Sequence, residues 1–227
     1  IEVASRADLA DARGESVRGS IRTFLDLPVA RVRTRTIYKI DGELTPDERE
    51  RVRAEVTDPV TQVSSLARLP SPGSHWVLTV GFRPGVTDNL GRSAQVAVED
   101  LIGRELPPGA GVYTEQEVHL FAPEVDFGAA RRIGEELLAN LLIETLTVRS
   151  AAQWEEEPAD LSIPVIRSTA EPRVDDVDLG GSDDELIRIS REGTLSLSLG
   201  EMKTIRDHFA DPAVAAARAE VGLSATP

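Results

Sequence analysis

Along the first 150 residues the apolar positions recur with two periods, and the switches between them predict the elements. Trp76, Leu78, Val80 and Phe82 alternate with Val77, Thr79, Gly81 and Arg83, the period of a strand with one strongly apolar face. Pro84-Gly85 breaks that strand. Residues 93–102 have helical spacing, and Pro107-Pro108-Gly109 is a turn. Residues 111–121 read as extended, with Val112, Thr114, Gln116, Val118 and Leu120 on one face. Ile133, Leu137, Leu138 and Leu141 predict a helix over 127–141, and residues 143–148 read as a closing strand. The same pattern places earlier elements at about 1–5, 15–25, 29–40, 46–57 and 60–64. Each stretch thus runs strand, helix, strand or long hairpin, helix, strand.

The two stretches are an internal repeat. A shift of 77 residues lays Arg6 on Arg83, Asp11 on Asp88, Gly14 on Gly91 and Ser16 on Ser93. Val17, Ile21, Phe24 and Leu25 then fall on Ala94, Val98, Leu101 and Ile102, both sets spaced as the apolar face of an amphipathic helix. Further on the shift widens to about 80–82 residues, bringing Thr57–Gln62 opposite Ala139–Glu144. Module A is expected at 1–67, a linker at 68–74 and module B at 75–150. Ile1 falls on Leu78, so the first strand lacks counterparts of Trp76 and Val77, and the natural start is expected a few residues upstream. The absence of an initiator Met, and an end at Ala225-Thr226-Pro227 that reads as a helix start, point to a piece of a longer chain.

From residue 151 the character changes. Residues 151–227 hold 16 acidic and 7 basic side chains, against 23 and 18 in residues 1–150. Glu155-Glu156-Glu157 and Asp175-Asp176-Val177-Asp178, with Pro158, Pro164 and Pro172, predict an acidic connector. Order is expected to return near 184–190. Met202, Ile205 and Phe209 lie on one helical face, Asp211-Pro212 stops that helix, and a short Ala-rich helix covers 213–221.

Charge and composition narrow the function. The net charge of −14 disfavours binding to nucleic-acid backbones. No stretch approaches about 18 consecutive apolar residues, so no membrane span is expected, and no secretory leader is seen at the start. With no cysteine there is no disulfide, thiolate nucleophile or Cys-ligated zinc, and the expected setting is cytosolic. His75, His119 and His208 are isolated. Neither a metal site nor a Ser–His–Asp arrangement has anything to build on. His119 is expected to be structural, and His208 to cap its helix or face solvent. The glycine pairs lack a phosphate-loop context. No catalytic, cofactor-binding or metal-binding residue is assigned, and the fragment alone reads as noncatalytic.

Two sets of residues are candidates for partner or anion contact. The signature Arg83…Asp88…Gly91…Ser93 precedes a helix, where free backbone N–H groups can hold an anion. Asx-turn and N-cap chemistry accounts for the same residues, and their recurrence in both copies favours that folding role. Arg31, Arg33 and Arg35 alternate on a strand and share one face. They form either a binding stripe for a phosphorylated ligand or acidic partner, or a solvated face answered by acidic side chains on a neighbouring strand.

Phe82-Arg83-Pro84-Gly85-Val86-Thr87-Asp88-Asn89-Leu90-Gly91-Arg92-Ser93 resembles the opening of PurS, the small subunit of phosphoribosylformylglycinamidine (FGAM) synthase. Glu136-Leu137-Leu138-Ala139-Asn140-Leu141-Leu142-Ile143-Glu144 is similar to its closing segment, with Leu141 where the family usually has Pro. Asp58-Pro59-Val60-Thr61-Gln62 is a more worn version. Leu195–Phe209 is similar to the stretch that precedes the catalytic region of the large subunit, PurL, and Thr226-Pro227 to the start of the next run. The resemblance implies an α+β fold of tandem PurS-like, ferredoxin-like modules forming a pseudo-twofold pair, followed by an extended acidic linker with short helices. It also implies a parent ligase that converts formylglycinamide ribonucleotide to FGAM with ATP, Mg²⁺ and ammonia from glutamine. In such an enzyme this region braces the synthase core against the glutaminase, so the remaining synthase domains and the glutaminase are the expected partners. The family's catalytic residues have no counterparts in this chain. The alternative is a free-standing tandem ferredoxin-like module that senses a metabolite or acts as a scaffold. A nucleic-acid-binding domain of that type would want a basic face and stacking aromatics, and the net charge of −14 and only five Phe argue against it.

Overall fold

The two hydrophobic periods resolve into strands and helices in the computed structural model, which describes residues 1–164, 176–224 and 226. The chain divides into two compact units, Ile1–Arg167 and Ser168–Pro227. Unit 1 is α+β. Its elements are β1 (Glu2–Ser5), α1 (Ala12–Ser20), β2 (Arg31–Asp41), α2 (Pro46–Glu55), β3 (Gln62–Ser65), β4 (Trp76–Phe82), α3 (Asn89–Ile102), β5 (Gly111–Phe121), α4 (Phe127–Ile133), β6 (Glu144–Ser150) and α5 (Ala151–Glu156). The long segments expected at 29–40 and 111–121 are single strands of 11 residues each, not hairpins.

The six strands form one antiparallel sheet in the order β3-β1-β2-β5-β4-β6, which reads the same from either edge when β1, β2 and β3 are matched with β4, β5 and β6. At its centre Thr36 pairs with Gln116, and Thr34 with Val118. Local chemistry repeats with the same correspondence. Asp11 caps α1 by accepting from Gly14 N, and also accepts from Thr34 N at 2.6 Å. Asp88 caps α3 through Gly91 N and accepts from Thr114 N at 2.5 Å. Each cap thus ties a helix start to the long strand beneath it. Glycine is required at both helix starts, since a Cβ on Gly14 or Gly91 would sit 2.4 or 2.3 Å from the carbonyl oxygen of Val32 or Val112.

Helices α1–α4 cover one face of the sheet, over two cores that both draw on both copies. Ile21, Leu25 and Val32 pack with Leu78, Val118, Leu120, Ala130 and Ile133. Leu44 and Val52 pack with Ala94, Val98, Leu106 and Val112. Neither copy buries its apolar face with its own residues alone.

The expected helix over 15–25 continues past α1 as a π-helical turn, Ile21–Leu25, and Phe24 is 70% exposed, not on the buried face. The wider turn keeps Ile21 and Leu25 inward and swings Phe24 out. The turn ends on Asp26 in the left-handed region (φ 52°), where the equivalent C-cap of α3 is Gly103 (φ 70°). Helix 127–141 also stops early: a π-helical turn closes at Leu138, Ala139 is extended, and Asn140 begins an Asx turn. Residues 151–156, expected as connector, are helical. Ser150 and Gln153 form a capping box, and Trp154, only 3% exposed, holds the helix to the sheet.

Among its described residues unit 2 has three helices, α6 (Asp183–Glu192), α7 (Leu199–Ala210) and α8 (Pro212–Glu220). Leu179, Leu186 and Met202 form its core with Ile189, Leu197, Leu199 and Ile205 around them. Ser190 Oγ both donates to Leu197 O and accepts from Leu197 N, closing the α6–α7 loop. The connector around Pro172 and Asp175, and residues Ala225 and Pro227, lie outside the described residues.

Val98 is 1% exposed beneath α3. Val98→Asp places an unpaired carboxylate in a core shared by both copies and is expected to cost more than about 4 kcal/mol. A thermal melt unchanged from the wild type would show that this helix face is not buried.

Candidate functional site: the open face of the sheet

Strand alternation sends odd-numbered residues of β2 and β5 to the face without α1–α4. There β2 presents Arg33, Arg35, Ile37 and Lys39, and β5 presents Tyr113, Glu115, Glu117 and His119. Cross-strand pairing sets Arg35 against Glu117 and Ile37 against Glu115, with Glu2 of β1 on the other side of Ile37. Cations on one strand therefore meet anions on both neighbours.

Arg35 is 5% exposed and uses its guanidinium entirely within the unit. Nη1 lies 3.2 Å from Glu2 and 3.6 Å from Glu117, and also donates to Leu69 O at 3.1 Å. Nη2 donates to Pro70 O at 2.5 Å. Glu117 accepts from His119 Nε2 and from Trp154 Nε1, both at 2.7 Å. Because a carboxylate only accepts, Nε2 carries the imidazole proton, so Nδ1 accepts from Ser74 Oγ at 3.1 Å. The Trp154 indole stands edge-on to His119 and beneath the guanidinium of Arg68, which donates to the carbonyls of Trp154 and Glu157. Residues 68–74 and α5 are thus fastened across the open face by this one network.

Burial alone would raise the Glu117 carboxyl, but the His119 and Trp154 hydrogen bonds and the Arg35 charge outweigh it and hold it below its ordinary value. Burial also pushes the His119 imidazole below its ordinary 6.5, against the pull of Glu117. Burial raises Glu2 and Glu115. Among the described residues no buried side-chain polar atom lacks a partner, and no three metal-ligating side chains converge. The network is paired throughout, an arrangement that positions the backbone segments it crosses.

Beside it lies a groove of about 920 Å³ on the same face, floored by Ile37, Lys39, Thr79, Tyr113, Glu115 and Thr147. Residues 159–164 form one wall.

The residues singled out in the sequence are dispersed. Arg31 is exposed and stacks over Phe121 at 3.8 Å. Arg33 donates to the carbonyls of Ser5, Arg6 and Leu9. With Arg35 buried, the three do not form one open basic stripe, since cross-strand carboxylates and loop carbonyls take up two of them. Arg83 is exposed and donates through Nε to Leu141 O. Asp88 and Gly91 are buried in the α3 cap. His119 is fully buried in the network, His75 Nδ1 accepts from Ala122 N, and His208 is exposed beside Phe209. Sequence reasoning missed Glu2, Lys39, Glu115, Glu117 and Trp154. The available signal was the alternation Glu115-Gln116-Glu117-Val118-His119, matched in parity to the arginines.

No known family model and no curated protein matches this chain. No helix among the described residues is long and apolar enough to cross a membrane.

Arg35→Met removes the cation and leaves Glu2 and Glu117 buried together, an expected loss of about 3–5 kcal/mol, read as a shift in the denaturant midpoint. The pH dependence has a definite sign. Imidazole protonation is disfavoured in the folded state, so the unfolded chain binds more protons between the depressed folded value and about 6.5, and stability falls as pH drops through that window. His119→Gln cannot titrate. The stability of the wild type relative to this variant is therefore expected to decline between pH 7 and 5, and a constant difference would contradict a neutral buried His119.

Proposed function

We propose that this chain is the N-terminal, noncatalytic part of an FGAM synthase, a fused pair of PurS-like modules of ferredoxin-like type with the beginning of the linker region. The observation that carries the reading is the central pairing of β2 with β5, in which Thr36 lies opposite its own repeat equivalent, Gln116. Two copies that meet at a self-equivalent pair are related by an approximate twofold rotation, as expected of a fused pseudo-dimer. The shared cores support a bracing role: the pair is one compact unit with a helical side and an ionic side. Its partners in this reading are the remaining synthase domains and a glutaminase. ATP and Mg²⁺ serve the parent enzyme elsewhere, and the setting is cytoplasmic.

The reading is tested by the mass of the native polypeptide in source cells, detected with an antibody against this region. A band several-fold heavier than 24.5 kDa that co-purifies with ATP- and glutamine-dependent FGAM formation is the expected result. A band near this mass overturns the proposal in favour of a free-standing sensor or scaffold, which the groove would suit as a ligand site. In that case a thermal-shift screen against amino acids and nucleotides is the next measurement.

A further inference from the structure

The wall of the open-face groove formed by residues 159–164 has no regular secondary structure. Ala159 through Ser162 are exposed, while Ile163 and Pro164 are half-buried. We propose that this stretch is a strap that opens and closes the groove, and that the Lys39 ammonium is its latch.

Lys39 stands on the central strand β2, and its side chain is 5% exposed. Its Nζ donates to Glu115 at 2.6 Å and to the backbone carbonyl of Ser162 at 2.9 Å, and the Asp160 carboxylate is 4.0 Å away. The strap is shaped to offer that carbonyl. Ser162 N donates to the Asp160 side chain at 2.8 Å, an Asx turn that folds 160–162 on itself. Among the described residues these contacts of Lys39 are the polar contacts between the strap and the sheet. Glu115 holds the ammonium in place from the β5 side and is itself part of the floor.

The rest of the unit does not depend on this closure. The sheet ladders and both apolar cores are built from other residues, and the Arg35 network fastens α5 and residues 68–74 independently. A segment held by one charged hydrogen bond, one long ion pair from the same ammonium and two half-buried apolar side chains belongs to the low-stability end of a fold and opens without global unfolding. Opening widens access to the half-buried Ile37, Thr79 and Tyr113 beside the already exposed Thr147, a floor of aliphatic, aromatic and hydroxyl groups with one ion pair at its centre.

The chain has no cysteine, so single introduced thiols report directly. In the full chain, Ile163→Cys reads the strap and Val77→Cys, at a position 1% exposed on β4, reads the integrity of the sheet. Lys39→Met is expected to raise the maleimide labelling rate at position 163 by about tenfold, the weight of one charge-assisted hydrogen bond. Lys39→Arg, which retains donors for both partners, is expected to stay near the wild-type rate. The thiol at position 77 should remain protected throughout. An unchanged rate at 163 in Lys39→Met, with 77 protected, overturns the proposal. If Lys39→Met instead exposes position 77, Ser162→Pro decides, because it lies wholly in the strap and removes the amide that Asp160 holds. Faster labelling at 163 with 77 protected supports the latched strap, and an unchanged rate overturns it.

Discussion

The 11 residues of β2 lie antiparallel against the 11 of β5, and nearly every other feature of unit 1 is placed by that pairing. It joins the two copies through backbone hydrogen bonds and sets side chains of opposite character on the two faces. On the helical face, Val32, Val112, Val118 and Leu120 floor the two cores, and Thr34 and Thr114 receive the Asp caps of α1 and α3. On the open face the same strands carry the charges. Because both cores take residues from both copies, the hydrophobic stabilisation of one half is not separable from that of the other.

The open face takes an expensive route to order. Desolvating an Arg and two Glu costs several kcal/mol per ion before any attraction is counted, and the neutral His119 adds a buried polar group that must also be paired. The structure offsets that by giving each ion two or more partners and by drawing on backbone carbonyls, those of Leu69 and Pro70, as well as on carboxylates. Such a network contributes less to net stability than a well-packed apolar core of the same volume. What it does provide is directional: hydrogen bonds from Arg35, Arg68 and Trp154 can be satisfied in few arrangements, so the segments that cross the sheet have defined positions.

Much of this architecture was legible in the chain. The period-two runs located β4 and β5, and the 77-residue shift matched Asp11 with Asp88 and Gly14 with Gly91, whose caps accept from the corresponding glycine and threonine amides. Phe24 misled because a π-helical turn changes the angular step and nothing in its apolar spacing announces one. The ionic network was half visible. The arginine alternation was evident, but the answering carboxylates come from β1 and β5, and which strands neighbour β2 is a property of topology that no local window contains. Trp154 was concealed by the acidic residues after it, since Glu155–Glu157 give the segment the composition of a connector while one buried indole anchors it.

Strand alternation also governs how this pair of copies can diverge. A single-residue insertion within β2 would exchange its faces from that point on, turning Arg35 and Lys39 toward the helices and Val32 or Ile40 toward solvent, and β5 could follow only by an equal slip. Length changes are therefore confined to the loops. The correspondence between the copies drifts in that way, from 77 residues at the helix caps to 80 at Thr34 and Thr114, while both long strands keep the same length. The two central strands are consequently the part of unit 1 least able to change in length, and their open-face side chains are cationic on β2 and anionic on β5.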